Sequence, residues 1–219
     1  MHNVTVAFAV LLVMLLSYFF GCFNGSFMVS HFIIRDDVRK HGSGNAGLTN
    51  FYRTYGAKYA LLVIACDMGK TVAACLLGSF FFRCLGWDGT LGTLLAGLGC
   101  ELGHIFPVFY GFRGGKGILS GGTLVLLLNW RVAAVAWALF LLLWLTTRYV
   151  SLASITATCS APITVYFVYG HNWLYTGLCL AVAALVVWCH RENIQRLLHG
   201  TEKKFKWHVN PTEGKEPPK

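Results

Sequence analysis

Charged residues are scarce in this sequence of 219 residues. They make up 12% of the chain, whereas hydrophobic residues make up 56%. A typical soluble domain carries about 25% charged residues, so the polar coat of a soluble globular protein is missing. A disordered chain is excluded as well, because disorder requires low hydrophobicity. The composition predicts a polytopic membrane protein built from helices of about 20 apolar residues.

Two further absences narrow the class. The first 34 residues contain no Lys, Arg, Asp or Glu. The positive n-region of a cleaved signal peptide is therefore missing, and we interpret residues 5–26 as a retained first helix with its N-terminus outside. The eight cysteines form no C-x-x-C pair, which argues against a zinc site or a disulfide framework.

Seven apolar stretches follow one another along the chain. They predict an all-α polytopic membrane protein with about seven transmembrane helices, at residues 5–26, 59–82, 90–110, 118–128, 132–145, 150–169 and 173–189. The stretch 118–128 is short, since a span needs about 17 to 25 residues, and five or six spans are the alternative. We expect one integral membrane domain at residues 1–202 and a polar cytoplasmic tail at residues 203–219.

The basic residues are distributed unevenly along the chain. With the N-terminus outside, fifteen of the eighteen Lys and Arg residues lie on one side, and only Arg83 and Arg131 lie on the other. The positive-inside rule then places the richer side, and the C-terminus, in the cytoplasm. The net charge of +9 is explained by this topology and by anionic substrates, so nucleic acid is not expected as a partner.

Three polar segments lie on the predicted cytoplasmic side, and the first two are rich in glycine. The first, residues 41–56, mixes Gly, Ser, Asn and Thr with Arg53. Glycine lets backbone N–H groups converge on an anion, and an arginine binds phosphate in a bidentate manner. Thr49 or Asn50 is positioned to cap the following helix, whose N-terminus would attract an anion. A flexible connector with an ordinary cap is the alternative.

The second segment, residues 103–117, frames Arg113 and Lys116 with glycines, among them Gly114 and Gly115. This pattern suits a phosphate cradle with cationic donors. It is not a Walker A loop, because no Ser or Thr follows Lys116.

The third segment, residues 190–202, ends the last helix. His190 and Asn193 are three residues apart and are expected to share one helix face. The alternative is an amphipathic helix that the basic residues hold at the membrane surface.

Two pairs of ionisable residues lie within predicted membrane helices. Asp67 and Lys70 are three residues apart, as are Glu101 and His104. An ionisable residue inside the bilayer is costly and suggests a function. For Asp67 and Lys70 the depth in the helix favours the alternative, a mutually satisfied pair that locks helix packing.

These segments resemble the signature motifs of the bacterial acyl-phosphate-dependent glycerol-3-phosphate acyltransferases, the PlsY-type family. Two shorter patterns, Asp67-x-x-Lys70 and residues 148–155, are similar to secondary signatures of that family. The likeness extends from about residue 21 to residue 202. The motifs themselves are Ser43-Gly-Asn-Ala-Gly-Leu-Thr-Asn50 with Arg53, Gly-His104-Ile-Phe-Pro107 with Gly114-Gly-Lys-Gly117, and His190-x-x-Asn-Ile-x-Arg-Leu with Gly200-x-Glu202.

The resemblance implies an acyltransferase of phospholipid biosynthesis. The implied reaction moves a fatty acyl group from acyl phosphate to the 1-hydroxyl of sn-glycerol 3-phosphate, and gives lysophosphatidate and phosphate. It uses no cofactor and no metal. The implied location is the bacterial plasma membrane with the site facing the cytoplasm, and the partners are the two substrates and the bilayer, with no obligate protein partner.

The family's site residues carry over by motif position. Because acyl phosphate is already activated, orientation and charge stabilisation can supply most of the acceleration. His190 is the candidate base, and a phosphate oxygen of the substrate is the alternative. Catalytic roles are implied for Ser43, Lys116, His190 and Asn193. Substrate contacts are predicted for Gly47, Thr49, Asn50, Arg53, His104, Arg113, Gly114 and Gly115.

Competing functions explain less of the sequence. A transporter or channel for a phosphorylated metabolite would account for the anion-binding loops, but it predicts polar groups in both halves of the membrane. A non-catalytic scaffold leaves Arg113 and Lys116 unexplained. His31 and Asp36 match the His-x4-Asp pattern of a different acyltransferase family that uses thioesters, and a pattern with two fixed positions arises easily by chance.

Overall fold

The computed structural model describes residues 2–207, and within that range the regular secondary structure is entirely helical. Residues 208–219, most of the predicted polar tail, lie outside the described residues. The α-helices are α1 His2–Cys22, α2 Gly25–Met28, α3 Leu48–Tyr55, α4 Ala60–Cys84, α5 Gly89–Ile105, α6 Ile118–Leu128, α7 Trp130–Thr147, α8 Val150–Val168, α9 Trp173–Cys189 and α10 Arg191–Leu198.

Each of the seven predicted apolar stretches forms a helix, namely α1 and α4 to α9. Five helical segments of the described chain are long and apolar enough to cross a membrane, and a sixth is gained if α9 and α10 are one span bent by 59°. Helix α6 has 11 residues and is about 16 Å long, well short of a hydrocarbon core of about 30 Å. The exact count of seven spans and the orientation of the termini remain predictions.

The first predicted helix is interrupted near its C-terminus. Helix α1 ends at Cys22, and the side chain of Asn24 accepts a hydrogen bond from the Phe27 backbone N–H, which starts α2. The interruption frees the carbonyl oxygens of Gly21 and Phe23, and both lie 3.0 Å from the Lys70 ammonium. The break is therefore stabilised by a side chain of α4.

Helices α1, α4 and α5 pack closely through small residues. A Cβ on Gly103 would overlap the Tyr18 carbonyl of α1, and a Cβ on Gly92 would overlap the Gly78 carbonyl of α4. Such small-residue contacts let membrane helices approach backbone to backbone. Helix α5 is the central helix of this group, since 13 of its 17 residues are buried, against 8 of the 25 residues of α4.

Helices α7, α8 and α9 form the second half of the bundle. Their core contains Val132 of α7, Val165 of α8 and Tyr175 of α9, and it also includes the end of α6. The Tyr169 hydroxyl donates a hydrogen bond of 2.7 Å to the Leu128 carbonyl. The three polar segments meet at one end of the bundle, where the Ala46 N–H donates to the Gly114 carbonyl at 3.2 Å and Lys116 donates to Asn193.

Candidate active site

A cavity of about 600 Å³ lies between the two halves of the bundle. Its walls differ in chemistry along its length, because the loops supply one end and the helices supply the other. The polar end is lined by Ser43, Asn45, Arg53, Lys116, His190, Asn193, Arg196 and Glu202. The apolar part is lined by Leu124, Val125, Ala136, Trp137, Phe140, Ala161 and Val182.

Asn50 organises the loop that presents Ser43. Its Oδ1 accepts a hydrogen bond of 3.0 Å from the Ser43 backbone N–H. Its Nδ2 lies 3.0–3.1 Å from the carbonyl oxygens of Val38, His41 and Asn45. The buried amide thus replaces regular secondary structure as the partner of the loop backbone.

The expectation that Thr49 or Asn50 caps α3 is wrong. The N-cap residue is Gly47, with no side-chain cap, and both predicted residues lie inside the first turn. The physical reason is that the Asn50 amide is committed to the preceding loop. Gly47, Thr49 and Asn50 all line the cavity, so the unpaired N–H groups of this first turn border a site suited to an anion.

The glycine pair of the second segment packs on the end of α5. The Gly114 N–H donates to the Ile105 carbonyl at 3.1 Å, and the Gly115 N–H donates to the His104 carbonyl at 3.0 Å. A Cβ on Gly115 would overlap the His104 imidazole. Glycine is therefore required here by close approach, and this packing directs Lys116 towards the cavity.

The predicted phosphate cradle is assembled only in part. Lys116 lines the cavity, whereas Gly114 and Gly115 do not. Arg113 is exposed and lies outside the cavity lining as well. The substrate contacts of these last three residues remain predictions.

A chain of hydrogen bonds joins Lys116 to Glu202. The Lys116 ammonium donates to the Asn193 side-chain oxygen, and the Asn193 Nδ2 donates to Glu202 Oε1 at 2.8 Å. The same carboxylate accepts hydrogen bonds from Ser151 Oγ at 2.8 Å and Arg196 Nε at 2.7 Å. The Glu202 carboxylate therefore holds together helix α8, helix α10 and, through Asn193, the loop that carries Lys116.

Lys116 and Glu202, the two ends of this hydrogen-bond chain, have shifted pKa values. Burial, together with the nearby Arg196 guanidinium, lowers the pKa of the Lys116 ammonium below its ordinary value. Burial alone would raise the pKa of the Glu202 carboxyl, but hydrogen bonds from Arg196, Asn193 and Ser151 hold it below its usual value. At neutral pH Glu202 is consequently ionised and balances the cations of the site.

His190 lies at the break between α9 and α10. Its ring is buried, and Nδ1 is 2.8 Å from the Val186 carbonyl oxygen. A carbonyl oxygen only accepts, so Nδ1 carries the proton and the neutral ring keeps a free lone pair on Nε2. The sequence predicted His190 and Asn193 on one face of one helix. The bend of 59° lies at His190 itself, which is the N-cap residue of α10 and accepts a hydrogen bond of 2.8 Å from the Ile194 N–H through its carbonyl oxygen. Asn193 follows in the first turn of the same helix, and both side chains line the cavity.

Asp67, Lys70 and His104 form a buried cluster beside the cavity. Lys70 Nζ is 2.9 Å from Asp67 Oδ1 and 2.7 Å from His104 Nδ1. Asp67 Oδ1 also accepts a hydrogen bond of 3.0 Å from the Gly25 N–H. The mutually satisfied Asp–Lys pair is therefore present, and it ties α2, α4 and α5 together. His104 does not pair with Glu101, whose carboxyl oxygens have no hydrogen-bond partner among the described residues.

The thioester pattern at His31 and Asp36 is not assembled as a pair. The Asp36 carboxylate lies 2.8 Å from His41 Nε2, and His31 stacks on the ring of Phe27. Neither His31 nor Asp36 lines the cavity.

Sequence reasoning assigned no role to Ser151, Arg196 or Glu202, although these residues complete the polar end. Ser151 lies in the first turn of an apolar helix, and Glu202 is an acid within a basic segment. Both features indicate that the side chain has a polar partner, but the sequence does not show which residue that partner is. Ser151 and Glu202 come together only because the chain turns back towards α8 after α10.

Comparisons with known proteins identify relatives of this chain. The family model described as "Glycerol-3-phosphate acyltransferase" matches residues 11–200. A "Glycerol-3-phosphate acyltransferase" of Syntrophomonas wolfei is 38% identical over 192 residues, covering 88% of this chain and 95% of that protein. One of Alkaliphilus metalliredigens is 40% identical over 195 residues, covering 89% and 95% respectively.

Solved structures show the same fold. The crystal structure of PlsY, an integral membrane glycerol 3-phosphate acyltransferase, in its glycerol 3-phosphate form has a TM-score of 0.80 and 36% identity, covering 90% of this chain and 96% of that chain. Its lysophosphatidic acid form has a TM-score of 0.77 and 35% identity, covering 90% and 95%. With these relatives and its long apolar helices, the chain is an integral membrane protein and belongs to the glycerol-3-phosphate acyltransferase family, of the PlsY type.

Proposed function

We propose that this protein transfers a fatty acyl group from acyl phosphate to the 1-hydroxyl of sn-glycerol 3-phosphate. The products are lysophosphatidate and inorganic phosphate, and the reaction belongs to phospholipid biosynthesis at the cytoplasmic face of a bacterial plasma membrane. The observation that carries the proposal is the cavity itself, in which a cationic end lined by Arg53 and Lys116 is continuous with an apolar zone.

The apolar zone suits a fatty acyl chain. Small residues of α8, Ala157 and Ala161, lie on one wall, and the rings of Trp137 and Phe140 on α7 lie on another. Burial of a methylene group is worth about 0.8 kcal/mol, so an acyl tail has a strong reason to occupy this zone. Its reactive end then lies among the polar groups.

The polar end suits two phosphate groups. Arg53 and Lys116 supply positive charge, Ser43 supplies a hydroxyl, and the first turn of α3 supplies backbone donors. Arginine and lysine form charge-assisted hydrogen bonds to phosphate, which are stronger than neutral ones. The glycerol 3-phosphate and lysophosphatidic acid forms of PlsY lend support to the same acceptor and product here.

The chemistry proposed is a direct displacement. The 1-hydroxyl oxygen attacks the acyl carbonyl carbon, a C–O ester bond forms, and the C–O bond to phosphate breaks. Lys116 stabilises the charge on the leaving phosphate. The hydroxyl proton passes to His190 Nε2, which has a free lone pair and lines the cavity. No covalent acyl-enzyme is formed.

The placement of polar groups favours an enzyme over a transporter for a phosphorylated metabolite. The residues that suit phosphate cluster at one end of the cavity, and the remainder of its lining is mostly apolar. A transport path for a phosphorylated solute requires polar lining through both halves of the membrane.

The test offers purified protein three acyl donors with glycerol 3-phosphate: acyl phosphate, acyl-CoA and acyl carrier protein thioester. Of the three donors, we expect only acyl phosphate to give lysophosphatidate. Product only from a thioester contradicts the proposed donor. Flux of glycerol 3-phosphate into sealed vesicles without acylation supports the transporter instead.

A further inference from the structure

We propose that residues 203–207, here called the strap, close the mouth of the substrate cavity and that Phe205 is a positioning residue that keeps water from the acyl donor. This inference rests on the proposed function. It concerns a segment beyond the last motif of the sequence, which the reaction scheme above does not use.

Backbone hydrogen bonds fix the strap to two separate helices. The Lys203 carbonyl accepts a hydrogen bond of 3.0 Å from Arg53 Nη2, and the Trp207 carbonyl accepts one of 2.7 Å from the Tyr52 hydroxyl. Both donors belong to α3. On the other side, the Phe205 N–H donates to the Arg148 carbonyl at the end of α7, at 2.8 Å. The strap therefore crosses from α3 to α7.

Aromatic rings fill the space under this crossing. The Phe205 ring stacks on Tyr52 with a centroid distance of 5.3 Å, and it meets Trp144 edge-on at 5.3 Å. Trp207 also contacts Trp144, at 5.1 Å. Phe205, Tyr52 and Trp144 all line the cavity, so the Phe205 ring forms part of its wall between α3 and α7.

The strap begins next to the polar hydrogen-bond chain. Glu202, the residue before it, accepts hydrogen bonds from Ser151, Asn193 and Arg196. One end of the strap is thereby held at the reacting groups, and its Lys203 carbonyl orients Arg53 beside them. The strap therefore both orients Arg53, a proposed phosphate-binding residue, and closes the mouth of the cavity.

Closure matters chemically because acyl phosphate reacts with water as well as with an alcohol. In hydrolysis the water oxygen bonds to the acyl carbon, the C–O bond to phosphate breaks, and fatty acid and phosphate are released. Glycerol 3-phosphate and water thus compete for the same carbon. Exclusion of bulk water from a closed site prevents such side reactions.

The test measures how acyl phosphate is partitioned between the two acceptors. Full-length protein receives palmitoyl phosphate and glycerol 3-phosphate, and the ratio of fatty acid to lysophosphatidate is determined after subtraction of enzyme-free hydrolysis. For Phe205→Ala we expect this ratio to rise by about two- to tenfold, since two ring contacts are lost. Phe205→Tyr keeps the ring and is expected to retain the wild-type ratio.

Two further variants keep the test decisive. Phe205→Leu preserves apolar bulk for folding and is expected to raise the ratio less than Phe205→Ala. Phe80→Ala, which removes an exposed ring of α4 outside the cavity lining, is expected to leave it unchanged. An unaltered ratio in both Phe205→Ala and Phe205→Leu, whatever the total rate, overturns the proposal. Absence of lysophosphatidate from acyl phosphate in the wild type instead overturns the proposed function.

Discussion

Lys116 and Asn193 lie 77 residues apart in the sequence and are joined by a hydrogen bond from the ammonium to the side-chain oxygen. The amide cannot turn freely, because its Nδ2 donates to Glu202. Its oxygen is therefore held towards Lys116, and the cation has a fixed place beside the cavity. Preorganised charge of this kind stabilises a transition state without reorganisation during the reaction.

Lys116→Ala is expected to lower kcat by about 10²- to 10³-fold, the loss found when one charge-stabilising donor is removed. Arg113→Ala serves as the comparison within the same loop, because Arg113 is exposed and lies outside the cavity lining. We expect it to lose much less activity. Steady-state kinetics with acyl phosphate measure kcat for both variants. An equal loss of kcat in the two would mean that Arg113 also binds phosphate.

His190→Gln is expected to lower kcat by about 10²- to 10⁴-fold, the usual contribution of a general base, with a smaller change in KM. Glutamine keeps a polar side chain at the bend but offers no basic nitrogen. Rate measurements over a pH series test the assignment. If kcat hardly changes, the proton goes to a phosphate oxygen of the substrate, and His190 only shapes the cavity.

The helices were predictable from the sequence because apolar length is a local property. The stretches around α1 and α4 to α9 needed no knowledge of their neighbours. The break at Phe23 was not predictable, since its freed carbonyl is held by Lys70, 47 residues away. The bend at His190 was missed because neither glycine nor proline, the usual signals of a helix break, stands near it in the sequence.

The residue types of the site could be predicted from the sequence, but the hydrogen-bond partners of those residues could not. Polar motifs on one side of the membrane indicated a phosphate site, and Lys116 and His190 do line one cavity. Asn50 was expected as a helix cap, yet its amide serves the loop of Ser43. The glycines around Arg113 suggested a phosphate ligand; its side chain is exposed and outside the cavity lining, and its substrate contact stays a prediction. Such distinctions depend on tertiary contacts that spacing does not encode.

The Glu202 carboxylate is expected to stabilise the fold in a pH-dependent manner. Hydrogen bonds hold its pKa below the usual value, so its stabilisation is complete above the unfolded-state pKa, about 4.3, and is lost as the pH falls through the lowered pKa. The midpoint of thermal unfolding in detergent, compared between the wild type and Glu202→Gln, measures this. The two thermal midpoints should differ at neutral pH and converge in acid. A difference that grows in acid contradicts a stabilising role for the ionised Glu202 carboxylate.

The buried pair of Asp67 and Lys70 is expected to show strong coupling. Lys70→Met leaves the Asp67 carboxylate without its charge partner, and breaking a buried pair in this way costs about 3 to 5 kcal/mol. The double variant Asp67→Leu with Lys70→Met removes both charges and is expected to be less destabilised than Lys70→Met alone. Unfolding of the wild type, Asp67→Leu, Lys70→Met and the double variant in detergent gives the coupling energy. Additive effects would mean that the pair does not lock the helices.

Gly115→Ala is expected to reduce both activity and stability. The added Cβ would overlap the His104 imidazole, so either the ring or the loop that carries Lys116 must move. Because His104 also contacts Lys70 at 2.7 Å, the disturbance reaches the buried pair. A 1 Å misplacement of a catalytic group can cost about 100-fold in rate, and kcat together with the thermal midpoint measures the effect.

Gly177→Ala provides the matched control, because an added Cβ there meets nothing within 4 Å and the residue lies inside α9. Alanine is favoured over glycine in a helix by about 1 kcal/mol, so this variant should be at least as stable as the wild type and equally active. Gly115→Ala should fall below it in both measurements. If the two alanine variants behave alike, the loop tolerates a side chain at residue 115, and close approach to His104 is not what positions Lys116.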